Sequence, residues 1–197
     1  MLCKNLGQSG TLAQLSDLRR GLVVDVTPEI TQRTDGTPAT SGGAWHYAAG
    51  SPKLGGNIRW GITNNLNVAR ILADNPDCEV IVTGGVVRHR DRGIVGEATV
   101  DFIRQFKVDI GIIGISGIEA DGSLRDYDYR EVMVARVILE QSREVWLVAD
   151  HGKFNRPAMV ELARVDQIDL LFTDAAPPEP FPALLAEAGV QLELAAP

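Results

Sequence analysis

The sequence predicts an α/β domain: an open, mostly parallel sheet with helices on both faces. Three features carry this expectation. From Ile58 onward, β-branched segments and segments with helical apolar spacing alternate about five times at short intervals. Asp109–Ile115 (DIGIIGI) is a nearly continuous apolar run, the pattern of a strand buried on both faces, as parallel sheets require. Polar and glycine residues collect directly after the strand-like segments, where the carboxyl-edge loops of such a sheet belong.

Taken in order, Ile58–Thr63 reads as a short strand ending in the polar turn Thr63-Asn64-Asn65. Leu66 to Leu72 sets Val68, Ala69, Ile71 and Leu72 at helical spacing, until Pro76 and Asp77 break the pattern. Glu79–Thr83 is a β-branched strand stopped by Gly84-Gly85, and Val100, Ile103 and Phe106 predict a helix opening near Gly96-Glu97. After the DIGIIGI strand, a loop rich in Asp and Gly leads to a helix over Tyr129–Ser142, with Val132, Ala135, Ile138 and Leu139 inward. Glu144–Ala149 is the next strand. Asn155 as N-cap, Pro157 in the first turn, and Met159, Val160 and Ala163 behind it predict a further helix. Ile168–Thr173 is a strand, Pro182–Ala188 a helix closed by Gly189, and Val190–Leu194 a last strand.

The first 57 residues do not follow this rhythm. Leu22–Val26 has the composition of a strand, but Thr31–Gly56 is rich in Gly, Thr, Ser and Ala without a sustained period. The expected organisation is an atypical or poorly ordered segment over 1–57, followed by the α/β domain over 58–197.

Composition narrows the function. A DNA-binding face needs clustered positive charge, whereas here 19 Lys+Arg are outnumbered by 26 Asp+Glu, for a net charge of −7. A small anionic ligand remains compatible, because backbone N–H groups and one or two cations suffice for it. No apolar run approaches the roughly 18 residues of a membrane span, and no signal pattern opens the chain, so a cytoplasmic location without membrane contact is expected. Cys3 and Cys78 are far apart, and His46, His89 and His151 lack ligand spacing, so neither metal nor cofactor is expected. Walker and GxGxxG loops are missing, and no GxSxG elbow accompanies Asp150-His151.

Five loops then stand out: Thr63-Asn64-Asn65, Thr83-Gly84-Gly85, Gly114-Ile115-Ser116-Gly117, Asp150-His151-Gly152-Lys153 and Thr173-Asp174. In a parallel sheet all five lie along one edge. Glycine there lets backbone N–H groups approach a phosphate, Asn and Thr side chains satisfy hydroxyls, and Lys153 brings a positive charge beside Asp150. Asp126, Asp128 and Glu131 form an acidic cluster that suits either a general base or solvated helix capping.

The segments TNNLNVARIL, VIVTGGVVR, GIVGEATVDFIRQF, DIGIIGISGIEADGSLRDYDYREV, ADHGKFNRPAMV and DLLFTDAAPP, in this order, resemble the C-terminal sensor domain of the DeoR family of transcriptional repressors. The resemblance implies a ribose-5-phosphate isomerase/NagB-like fold that binds a phosphorylated ligand without turning it over. It also implies an oligomer that regulates transcription through a DNA-binding helix-turn-helix, which has no match in this chain. The implied ligand is a phosphorylated polyol or sugar such as glycerol 3-phosphate. Carried over residue by residue, the resemblance implicates Thr63, Asn64 and Asn65 in the first polar turn, and Gly114 and Gly117 in the floor. Glu131 and Arg136 would lie at the start of the following helix. Asp150, Lys153 and Phe154 match an Asp-x-x-Lys-Phe signature, and Asp174 the terminal Thr-Asp. Ala135 stands where the family usually has lysine, and Val23–Glu29 is a shortened echo of its phosphate-cradling Asp-x-Gly-Thr-Thr loop. The alternative is a sugar-phosphate isomerase or deaminase using Glu131 or Asp128 as base.

Overall fold

A computed structural model of the chain describes residues 21–25, 31–32, 38–39, 60–74, 76 and 78–194. Its elements begin with β1 (Gly21–Asp25), the short pair β2 (Thr31–Gln32) and β3 (Pro38–Ala39), and β4 (Trp60–Thr63). Then come α1 (Leu66–Ala73), β5 (Glu79–Val82), β6 (Val86–Val87), β7 (Ile94–Val95), α2 (Glu97–Ile103) and β8 (Val108–Gly114). β9 (Gly117–Ile118), β10 (Ser123–Asp126), α3 (Tyr129–Gln141), β11 (Ser142–Val148) and β12 (Val160–Arg164) follow. β13 (Leu170–Thr173), α4 (Phe181–Glu187) and β14 (Gln191–Leu194) close the fold.

Seven strands form one sheet in the order β14-β13-β11-β8-β1-β4-β5, every pair parallel. The carboxyl ends of these strands therefore share one edge. Strand order reverses at β1, with β4 and β5 on one side and β8, β11, β13 and β14 on the other. Open α/β sheets bind ligands outside the carboxyl ends at such a reversal.

Burial explains why the apolar runs become strands. Ile110, Ile112, Trp146, Val148, Leu170 and Phe172 pack on the face covered by α1, through its Val68 and Leu72. On the other face, Ile113, Val145, Leu147 and Leu171 enter a larger core with Val132, Val134 and Ile138 of α3 and Phe181 and Leu185 of α4. Ile112, Ile113, Trp146 and Leu147 are fully buried. At about 1.5–3 kcal/mol per buried large side chain, burial on both faces of these central strands outweighs any local preference. Among the described residues no helix is long and apolar enough to cross a membrane.

Two sequence expectations are corrected. Residues following Asn155 do not form a helix, because β12 pairs antiparallel with β10, matching Asp126 to Val160 and Ser123 to Arg164. Asn155 has φ 57°, left-handed rather than the extended backbone of an N-cap, and Met159 is 78% exposed where a helix would bury it. The Asp/Gly-rich loop after β8 likewise holds β9 and β10, which with β12 form a three-stranded sheet. N-terminal to residue 58, Gly21–Asp25 lies between β4 and β8 in the main sheet. Within Thr31–Gly56, β2 and β3 pair antiparallel; the rest of that stretch, and residues 26–29 of the Val23–Glu29 echo, lie outside the described residues.

Candidate functional site

The tip of β4 is an ordered polar turn. Thr63, Asn64 and Asn65 are all buried. The Thr63 hydroxyl accepts from the Asn65 backbone N–H at 3.0 Å, and Asn65 caps α1, its Oδ1 accepting from the N–H groups of Asn67 (2.9 Å) and Val68 (3.3 Å). Asn65 Nδ2 donates to the Asp91 carbonyl at 3.2 Å and Asn64 Nδ2 to the Ile94 carbonyl at 3.2 Å, so the turn is tied to the β6–β7 hairpin.

Across the edge, Asp150 caps a 3-10 turn over His151–Lys153, accepting from the Gly152 N–H at 2.9 Å. This turn folds Lys153 inward to 3% exposure, with Nζ 3.9 Å from Asp150 Oδ2. His151 Nδ1 and its backbone N–H both lie 2.7 Å from the Asp174 carboxylate, joining the tips of β11 and β13. Burial raises the Asp174 carboxyl, but the bonds from His151 outweigh it and hold the group below its usual range. Gly114 ends β8; in the loop beyond it, the buried Ser116 hydroxyl donates to Asp126 Oδ2 at 2.9 Å.

In the acidic cluster at the start of α3, Asp126 and Glu131 are buried, Asp128 is a quarter exposed, and all three carboxylates are hydrogen-bonded. Asp128 caps α3, accepting from the Arg130 N–H at 2.9 Å, and Asp126 accepts from the N–H groups of Tyr127 and Asp128. Glu131 is buried against Arg88, which also bonds Asp91 and, at 3.1 Å, Asp128. Burial pushes the Glu131 carboxyl up despite Arg88. Burial also raises Asp128, yet hydrogen bonds from Arg130 and Arg88 prevail and bring it down to about 2. Through Asp91, this cluster connects to Asn65 and so to the β4 tip.

The remaining predicted residues lie elsewhere. Gly117 is in β9, packed so closely that a Cβ would stand 2.0 Å from the Arg156 carbonyl oxygen. Phe154 is buried with its ring 4.9 Å from that of Phe181. Arg136 is not at the start of α3 but in its middle, donating to the carbonyls of Leu162 (3.2 Å) and Glu161 (2.5 Å) on β12. The structure thus gathers Thr63, Asn64, Asn65, Gly114, Asp150 and Lys153 at one sheet edge and links Glu131 to it. Gly117, Phe154 and Arg136 hold neighbouring strands. Arg88 escaped the sequence reading; it meets Glu131 across 43 positions, a separation with no local signal.

Residues 60–175 match the family model described as the DeoR C terminal sensor domain. The chain belongs to the DeoR family. Among DeoR relatives, the chain is 52% identical over 133 residues to the glycerol-3-phosphate regulon repressor of Escherichia coli (strain K12), covering 68% of this chain and 53% of that protein. It is 38% identical over 133 residues to the HTH-type transcriptional repressor CsqR of the same organism, covering 68% and 51%. With the HTH-type transcriptional repressor GlcR of Bacillus subtilis (strain 168) it shares 32% identity over 131 residues, covering 66% and 50%. The chain therefore spans about half the length of the curated relatives it matches. All three relatives are named as repressors. Among solved structures, ribose 5 phosphate isomerase A from Neisseria gonorrhoeae aligns with a TM-score of 0.34 and 11% identity over 72% of this chain and 49% of that one.

Proposed function

We propose that this DeoR sensor domain binds a phosphorylated polyol or sugar, with glycerol 3-phosphate the first choice, outside the carboxyl ends of β4, β8 and β11. Occupancy would shift the shape or assembly of a homo-oligomeric repressor and so its hold on DNA. The observation that carries this reading is Lys153, a buried cation on the same sheet edge as the buried turn Thr63–Asn65. Phosphate would take the Lys153 ammonium and backbone N–H groups, and the buried amide and hydroxyl side chains would take the polyol. The name of the 52%-identical relative supports the choice of glycerol 3-phosphate. The acidic cluster favours a regulator over an isomerase, since Glu131 and Asp128 are both engaged by Arg88.

Calorimetric titration of the chain with glycerol 3-phosphate and with inorganic phosphate tests the proposal. Tighter binding of glycerol 3-phosphate supports it; equal affinities, or no heat from either, would reject it.

A further inference from the structure

Among the described residues, two buried side-chain polar atoms have no hydrogen-bond partner, Asn64 Oδ1 and Thr83 Oγ1. They belong to neighbouring strand ends. β4 and β5 pair Thr63 with Val82, and the Thr83 N–H donates to the Thr63 carbonyl at 3.0 Å, so Asn64 and Thr83 leave the sheet side by side. Each stands two residues beyond an isoleucine, Ile62 or Ile81, that packs into the larger core, and strand alternation carries both side chains to that face. Asn64 is 2% and Thr83 4% exposed. Native proteins leave few buried polar atoms unsatisfied, and two at adjacent tips of one edge call for an occupant.

The chemistry of that occupant follows from the donors and acceptors. The Asn64 amide orientation is fixed, because its Nδ2 donates to the Ile94 carbonyl. Oδ1 is then a pure acceptor, and Thr83 Oγ1 offers one donor and accepts as well. An ionised phosphate oxygen has no proton for Asn64. A hydroxyl satisfies both, donating to Oδ1 and accepting from the threonine O–H. We infer that Asn64 and Thr83 form the subsite for an alcohol group of the ligand, with Thr83 a specificity-determining residue that reads the polyol while Lys153 takes the phosphate. This rests on the effector-binding proposal and says which end of the effector lies at β4 and β5.

The test is calorimetry of the full chain and its Thr83→Val variant with glycerol 3-phosphate and with propyl phosphate, which lacks both hydroxyls. The unchanged chain should prefer glycerol 3-phosphate. The variant should lose about tenfold in affinity for it, the scale of one buried hydrogen bond, while its affinity for propyl phosphate moves less than twofold. Its ligand-free melting temperature should not fall, since the deleted hydroxyl has no partner. If the variant weakens both ligands by one factor, or neither, the pair holds only water and the subsite is overturned. Equal binding of both ligands by the unchanged chain rejects the subsite and leaves phosphate recognition standing. Binding of neither ligand rejects the effector-binding proposal and the subsite with it.

Discussion

Replacing Arg88 with methionine keeps most of the side-chain volume and removes one guanidinium from three carboxylates. The side chains involved are 10% exposed for Arg88, 2% for Asp91 and 9% for Glu131, so two of the three carboxylates would remain as buried charges without their main counter-ion. Breaking a buried pair in this way costs about 3–5 kcal/mol. Asp128 adds little, because it is a quarter exposed and keeps Arg130 at 3.1 Å. Arg90, 3.7 Å from both Asp91 and Glu131 but 60% exposed, recovers part of the loss, which favours the lower end, about 3 kcal/mol. Urea unfolding followed by circular dichroism reads this as a shift in midpoint with an unchanged slope. Adding Glu131→Gln to the variant should restore at least about 1 kcal/mol, since a neutral amide carries no buried charge. A loss below about 1 kcal/mol, as for a surface pair, would show that Arg88 does not bind the hairpin to α3 in the way described.

Other perturbations follow from the same geometry. Lys153→Ala should weaken glycerol 3-phosphate binding by about 1–3 kcal/mol, and unchanged affinity in calorimetry would remove Lys153 from the site. Asn65→Ala removes the cap of α1 and the bond to Asp91, and should lower stability by about 0.5–2 kcal/mol in the same urea assay. Gly117→Ala forces a Cβ against the Arg156 carbonyl oxygen and should cost at least about 1–3 kcal/mol; a neutral substitution would show that β9 gives way freely. Asp128, held at about 2, contributes stability that is complete above the ordinary carboxylate value near ~4 and is lost as pH falls from there toward 2. Asp128→Asn, which retains a capping side chain, should therefore narrow its melting-temperature gap to the unchanged chain between pH 5 and pH 2.

The parallel sheet was legible because burial on both faces writes continuous apolar runs such as DIGIIGI, and because the loops after them are polar. β12 was not. Met159, Val160 and Ala163 fit a helical period, and only the pairing of β12 with β10, a non-local contact, makes the segment a strand. β9 and β10 were hidden for the same reason, since Gly117 and Ser123 carry turn chemistry in sequence and reach the sheet only through their partners. The polar turn Thr63–Asn65 and the Asp150–Lys153 loop could be read as occupants of the carboxyl edge because each is a local segment directly following a strand. The burial of Glu131 could not, because its partner Arg88 comes from a distant hairpin, and Arg136 matched a family position while its guanidinium serves the carbonyls of β12.

Crystals of the chain grown with glycerol 3-phosphate test the central claim most directly. The account predicts density at the carboxyl edge of the sheet, with phosphate oxygens within hydrogen-bond reach of Lys153 and the polyol toward Asn64. Density confined to the exposed groove beside the β6–β7 hairpin, lined by Val86, Arg90, Tyr127 and Arg130, would contradict it.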